Sequence, residues 1–225
     1  RQAALAFGQM RQRILRQFSQ RTEMLAGVSH DLRTPLTRMK LQLAMLERRP
    51  EIKELEDDVH DMQKMIEGYL AFARGEGTET PINTNLQKLI GDVVAAEKRD
   101  GSKINLTMSI PNQQPIEVRP QAMKRAITNL ISNSKRYGKK LEVQLIRDKE
   151  AVMLIVDDDG PGIPTEFHED VFKAFFRLEP SRNPQTGGTG LGLTIARDIA
   201  RSHGGELELG KAPIGGLRAV INIPV

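Results

Sequence analysis

The sequence contains no cysteine. That excludes disulfides and thiolate metal sites, and it fits a reducing compartment. Tryptophan is also absent, and aromatic residues make up only 4%. Any core must therefore be filled by Leu, Ile, Val, Met and Ala, which favours helices packed on helices or on a sheet. No apolar run approaches the roughly 18–20 residues of a membrane span, and no signal peptide is visible. Like charges do not cluster, and the net charge of +4 is spread along the chain. A basic nucleic-acid module has nothing else behind it.

The 225 residues, 39% hydrophobic and 28% charged, suit one or two soluble domains. The chain opens at Arg1 inside a helical pattern, so it reads as a piece of something longer. Phe7, Met10, Ile14 and Phe18 step by three and four residues, as do Leu25, Val28, Leu32, Leu36, Met39, Leu43 and Leu46. This is the period of a helix-bundle seam. Arg48-Arg49-Pro50 interrupts it, and Pro50 suits the turn or the start of the next helix. Ile52, Leu55, Val59, Met62, Ile66, Tyr69 and Ala73 then repeat the seam. Two long helices with a short connection form an antiparallel hairpin. Such a hairpin cannot bury its seam alone, so a homodimer closing into a four-helix bundle is expected.

Gly75–Asn85 is polar and contains Gly and Pro, the composition of a linker. Beyond it the pattern changes. Leu86–Arg99, Gln121–Tyr137 and Thr189–His203 read as helices. Ile104–Ile110, Leu141–Arg147, Val152–Asp157, Glu206–Leu209 and Leu217–Ile223 read as strands. The fold class is thus α+β: a dimerising helical hairpin followed by an α/β sandwich of about 140 residues.

Of the four histidines, His60, His168 and His203 have bland surroundings. His203 ends a helix before Gly204-Gly205, where a partly charged imidazole is favoured. His30 differs. It lies off the seam, Asp31 follows it, and Thr34 sits one turn on along the same face. Pro35 interrupts the helix beside it, at a cost of about 3 kcal/mol. A local rule broken next to a solvent-facing histidine suggests a functional site. A neutral imidazole is a good nucleophile near neutral pH. A carboxylate on its other nitrogen fixes the tautomer and stabilises the imidazolium. Asp31 suits that role, and Thr34 suits orienting a water.

Leu25-Ala26-Gly27-Val28-Ser29-His30-Asp31-Leu32-Arg33-Thr34-Pro35-Leu36-Thr37-Arg38 resembles the H box of two-component sensor histidine kinases, notably the EnvZ-like osmosensors. Asn129-Leu130-Ile131-Ser132-Asn133-Ser134-Lys135-Arg136-Tyr137 resembles their N box. Asn129 and Asn133 share a helix face, and an amide oxygen is a hard ligand suited to Mg²⁺. Asn133 is the expected metal ligand, with Asn129 in support. Arg136 is the expected phosphate contact and Tyr137 the expected adenine-packing residue. Ser134 departs from the Ala commoner there, a change that a small hydroxyl makes tolerable.

Asp158, Gly160 and Gly162 form a D-x-G-x-G pattern after a strand. The carboxylate suits the adenine amino group, and the glycines let backbone approach the base. Thr165 stands where a dinucleotide fingerprint needs its third glycine. Phe172-Lys173-Ala174-Phe175-Phe176-Arg177 resembles the F box, with Phe172 and Phe176 in the core and Arg177 toward phosphate. Gly187-Gly188-Thr189-Gly190-Leu191-Gly192-Leu193 opens a helix whose amides suit phosphate, although no Walker A lysine follows. Arg177–Gly188 reads as a short lid over the triphosphate.

These boxes resemble those of the Bergerat-type (GHKL) ATPases, which include gyrase B, a heat-shock chaperone and the histidine kinases. The resemblance implies four segments: 1–19 as the end of a HAMP signalling helix, 20–74 for dimerisation and phosphotransfer, 75–85 as linker, and 86–225 for catalysis. It implies ATP and Mg²⁺ as cofactors, His30 as phospho-acceptor, and a homodimer that passes phosphate to an OmpR-like response regulator and also dephosphorylates it. It further implies the cytoplasmic portion of a bacterial inner-membrane protein. A pseudokinase that only relays conformational change is a rival, against which the intact Asn133, Asp158 and glycine boxes argue. A gyrase B-like ATP-driven clamp is another, but it leaves the His30 segment unexplained.

Overall fold

A computed structural model describes residues 2–46, 49–73, 79–109, 115–148, 150–178 and 189–225. The chain divides into two compact units, Arg1–Gly75 and Glu76–Val225.

The first unit holds two helices. Helix α1 is Gln2–Ala44 and α2 is Pro50–Ala73, with Pro50 in its opening turn. They pack on each other across a short connection, as an antiparallel hairpin. Pro35 lies inside α1. It brings no N–H to the Asp31 carbonyl, while the Thr37 hydroxyl donates to the Arg33 carbonyl at 2.8 Å. Among the described side chains of this unit only Leu36 and Val59 are buried. Val28, Leu32, Met39, Leu55 and Met62 remain exposed along the hairpin. The apolar seam is therefore real but not covered within one chain.

The second unit is a sheet covered by helices. The strands are β1 Ile82–Thr84, β2 Lys103–Ser109, β3 Ile116–Val118, β4 Lys140–Arg147, β5 Ala151–Asp158, β6 Glu206–Lys211 and β7 Leu217–Pro224. The helices are α3 Leu86–Glu97, α4 Pro120–Tyr137 and α5 Gly192–Ser202. The main sheet has the order β2-β4-β5-β7-β6. Only β2 and β4 are parallel; the other neighbours are antiparallel. Burial alternates along β4 and β7, so one face meets helices α3, α4 and α5. Ile127, Leu130 and Ile131 of α4 and Ile199 of α5 pack with Val143, Leu145, Val156 and Ile221 to make the core. The aliphatic filling follows from the shortage of aromatic residues.

The expected helices and strands of this unit are all present, but three details differ. First, the small sheet β1–β3 was not foreseen; it pairs Ile82 with Val118 and Thr84 with Ile116. Second, the stretch expected to be linker ends before residue 85. Glu79 accepts from the Gln121 and Ala122 amides at 2.8 and 3.0 Å, and Asn85 caps α3 through the Lys88 amide at 3.0 Å. Residues 79–85 thus belong to the α/β unit, and 74–78 lie outside the described residues. Third, α5 starts at Gly192 rather than Thr189, because Gly190 has a φ of +67° that no right-handed helix permits.

Candidate functional site

Strand β5 lies between β4 and β7 and is buried through its last five residues. It ends in three aspartates that serve three different purposes. Asp157, fully buried, pairs with Arg218 directly across the ladder. The guanidinium donates from Nε to Oδ1 at 2.8 Å and from Nη2 to Oδ2 at 2.7 Å. That fork satisfies both oxygens and holds the Arg218 guanidinium above its usual pKa, with burial opposing. Asp159 turns outward, and its Oδ1 accepts the Lys139 and Lys140 amides at 2.6 and 2.9 Å. The Lys140 amide first, then the Lys139 amide, holds its carboxyl below the usual aspartate range.

Asp158, 2% exposed, is the remaining one. Its Oδ1 accepts the Gly160 and Leu217 amides, each at 3.0 Å. Among the described residues Oδ2 has no donor. A buried carboxylate with one oxygen fixed and the other open is a ready acceptor for a ligand N–H. The Gly216 amide donates to the Asp158 carbonyl at 3.0 Å. A Cβ on Gly216 would collide with Asp158 Oδ1 and the Gly160 nitrogen, so only glycine fits. Gly216 escaped the sequence reading. The Gly215-Gly216 pair just before a strand was its one visible signal.

Helix α4 brings the asparagines to this edge. A Cβ on Gly160 would stand 2.9 Å from the Tyr137 carbonyl oxygen, and one on Gly138 would be 3.0 Å from the Asp158 Cβ. The end of α4 therefore abuts the Asp158 turn. Gly162 follows within 3.6 Å of Gly216, measured from an ideal Cβ. Asn129 and Asn133 are both half-buried. The Asn129 Nδ2 is buried with no hydrogen-bond partner among the described residues. A buried amide left unsatisfied calls for a ligand or water there. Arg136 and Tyr137 are exposed in the last turn of α4, Tyr137 by about half its surface. Ser134 is buried, its carbonyl taking the Gly138 amide at 2.8 Å. Lys135 faces the other way, onto the Glu97 carboxylate at 2.9 Å.

The start of α5 closes the arrangement. A Cβ on Gly192 would be 3.9 Å from the Asn129 Cβ. Leu191, expected as part of a phosphate loop, sends its side chain into the core and is 1% exposed; its backbone precedes α5. Among the described residues no side chain caps this N-terminus, and its first turn has no acid. Its amides and dipole favour an anion. Phe175 has a φ of +67° and donates its amide to the Gly190 carbonyl at 3.0 Å. The Thr194 hydroxyl donates to the Phe172 carbonyl at 2.9 Å. Phe172 is buried under the Arg197 guanidinium, 4.2 Å from its ring centre. Phe176 packs against Phe167 with ring centres 6.4 Å apart. Arg177 is exposed just after them, and Thr189 is half-buried. Gly188, with most of the expected lid, lies outside the described residues.

His30, Asp31 and Thr34 lie in the other unit, on α1. Asp31 and Thr34 are exposed, and the His30 side chain lies outside the described residues. His203 ends α5 as expected and also makes a longer-range contact. Its Nε2 accepts the Arg119 amide at 3.0 Å, and its Nδ1 is 2.8 Å from the Ile199 carbonyl. The ring thus caps α5 and bridges it to the start of α4. His168 likewise holds its own loop, with Nε2 3.0 Å from the Ile163 carbonyl.

Residues 20–78 match the His Kinase A (phospho-acceptor) domain, and residues 118–225 match the histidine kinase-, DNA gyrase B-, and HSP90-like ATPase family. Over 234 residues the chain is 34% identical to the sensor histidine kinase CpxA of Escherichia coli K12, covering 99% of this chain and 51% of that protein. It is 34% identical to the sensor histidine kinase GtrS of Pseudomonas aeruginosa, covering 99% of this chain and 46% of that one. The chain thus spans about half the length of the curated relatives it matches. The solved histidine kinase domain of the E. coli osmosensor EnvZ matches 66% of this chain and 92% of its own, at 34% identity and a TM-score of 0.51. A phospho-acceptor segment carrying His30, followed by an ATPase segment carrying Asp158 and Asn129, places the chain in the family of sensor histidine kinases.

Proposed function

We propose that the chain is the ATP-dependent catalytic portion of a two-component sensor, phosphorylating its own His30 and passing the group to an aspartate of an OmpR-like response regulator. The observation that carries the reading is the Asp158 carboxylate, fixed through Oδ1 and open at Oδ2 beside a buried, unpartnered Asn129 amide. Oδ2 accepts the adenine amino group. Gly160, Gly162 and Gly216 keep side chains away from the base, and Tyr137 packs on it. Arg136, Arg177 and the Gly188–Gly192 backbone, including Thr189, Gly190 and Leu191, meet the phosphates. The orphaned Asn129 amide fits a polar ligand at this edge. The Asn133 amide oxygen would hold Mg²⁺, which neutralises phosphate charge when bound.

One imidazole nitrogen of His30 forms a bond to the γ-phosphorus as the bond from that phosphorus to the β,γ-bridging oxygen breaks and ADP leaves. The other ring nitrogen gives its proton to the Asp31 carboxylate. The receiver aspartate then displaces the histidine from phosphorus. In the dephosphorylation step, Thr34 orients a water whose oxygen bonds to phosphorus as the bond from phosphorus to the aspartate oxygen breaks, releasing the free carboxylate and inorganic phosphate. The exposed apolar seam of α1 and α2 supports a homodimer, because Val28, Leu32, Met39, Leu55 and Met62 each keep nearly half their surface in water, and covering it would recover about 1 kcal/mol per side chain. We assign 1–19 to the end of a HAMP helix, 20–74 to phosphotransfer, and the catalytic unit from residue 79 on. The chain then acts as the cytoplasmic part of a membrane sensor, and among the described residues no helix is long and apolar enough to cross a membrane.

The deciding measurement is label uptake from γ-labelled ATP. The chain incorporates acid-labile label, and His30→Gln does not. Uptake by His30→Gln at the parental level would remove the assignment.

A further inference from the structure

The ladder between β5 and β7 stops at Asp157 and Arg218. One step further, Asp158 faces Leu217, but the Leu217 amide turns to the Asp158 side chain rather than to its backbone. The last ladder pair is thus an ion pair, and the next residue pair forms the carboxylate clamp. Leu217 is also the first residue of β7, paired with Lys211 on its β6 side, and the preceding Gly216 amide bonds to the Asp158 carbonyl.

We infer that Asp157 and Arg218 are positioning residues for nucleotide recognition: their fork locks the end of β7 so that the Leu217 amide holds the Asp158 carboxylate toward the base. The inference rests on the reading of Asp158 as the adenine-binding group.

The geometry favours this over a simple stability role. Asp157 is fully buried, yet Arg218 is one-third exposed, so the pair does not fill the core. A hydrophobic pair of similar shape would serve packing as well. What the fork adds is direction. Two bonds at 2.8 and 2.7 Å tie Arg218 to β5 across the ladder, and its backbone is continuous with Leu217. If the fork is lost, the Gly216 amide still holds the Asp158 carbonyl and β6 still pairs with Leu217, but the side-chain tie at the neighbouring step is gone and the Leu217 amide loses its fixed aim at Oδ1. The carboxylate is then free to rotate. An amino group at the base edge loses its acceptor, whereas phosphate contacts at α5 are untouched. The defect should therefore be specific to the base.

The test compares ADP with GDP binding to the full chain by calorimetry with Mg²⁺ present. Guanine offers a carbonyl where adenine offers an amino group, so the ratio of the two affinities reports the aim of Asp158. Arg218→Met is expected to lower the ADP preference about tenfold, the effect of one misplaced hydrogen bond to a charged group, with GDP affinity little changed. Arg218→Lys, which keeps the charge but not the fork, recovers part of the preference. If Arg218→Met does not fold, Asp157→Asn combined with Arg218→Gln is read in the same way, since it removes the charges and keeps hydrogen-bonding partners. An unchanged ratio, or equal loss for both nucleotides, overturns the inference. Asp158→Asn separates the two ideas. If it keeps the full ADP preference, the base-binding assignment itself is wrong. If it abolishes the preference while folded Arg218 variants keep it, only the positioning role is lost.

Discussion

Phe175 and Gly190 share a φ of +67° and are joined by the Phe175 amide on the Gly190 carbonyl at 3.0 Å. A Cβ on Gly190 would stand 2.8 Å from the Phe175 carbonyl carbon, which is backbone and cannot step aside. Gly190→Ala therefore combines an unfavourable φ with a clash, at an expected cost of about 1–3 kcal/mol. Thermal melting should show this loss, and ATP binding should weaken because the segment leading into α5 moves.

Glu79 tests where the catalytic unit begins. Its carboxylate holds two of the open amides of α4, a capping role performed by a residue far away in sequence. Glu79→Ala should destabilise the unit by about 1 kcal/mol, within the range for lost N-caps, and Glu79→Gln should recover part of it. Denaturant titration of the full chain would measure both. An unchanged midpoint for Glu79→Ala would return this residue to the linker.

Acid should weaken the Asp158 edge through its neighbour. Asp159 has its carboxyl lowered by the Lys140 and Lys139 amides. A group whose folded pKa lies below its unfolded one stabilises the fold above the unfolded value. That contribution fades as the pH falls below the ordinary aspartate range and is gone below the lowered value. Melting temperature recorded down through this range should fall less steeply for Asp159→Asn than for the parent.

Thr34 and His30 should separate by activity. Thr34→Ala is expected to retain label uptake at His30 within about twofold while hydrolysis of regulator phosphate falls by about a hundredfold, the lower end for a positioned proton-transfer group. Equal loss of both activities would refute the division of labour.

Much of this was legible because long periodic segments leave strong traces. The seam from Leu25 to Leu46 and its repeat from Ile52 to Ala73 correspond to α1 and α2. The alternation in Leu141–Arg147 and Leu217–Ile223 corresponds to β4 and β7. Short elements were hidden. Three-residue strands such as Ile82–Thr84 and Ile116–Val118 carry no readable period, and each exists through its partner. Gly216 was hidden for a similar reason: its need for glycine comes from Asp158, far away in sequence. For His203, sequence supplied only a helix end; the Arg119 amide that fixes its tautomer comes from another element. Asp158 was legible from its D-x-G-x-G spacing, whereas the separate roles of Asp157 and Asp159 come from partners far away in sequence.

The strand that finishes the Asp158 clamp follows its sheet neighbours in sequence. Gly216 leads into β7, which opens at Leu217 and inserts between β5 and β6, both earlier in the chain. During synthesis the other residues of the nucleotide edge are therefore made before the carboxylate can acquire its second amide. A chain stopped short of residue 216 would carry every one of these boxes in its sequence and still lack a finished site for the base.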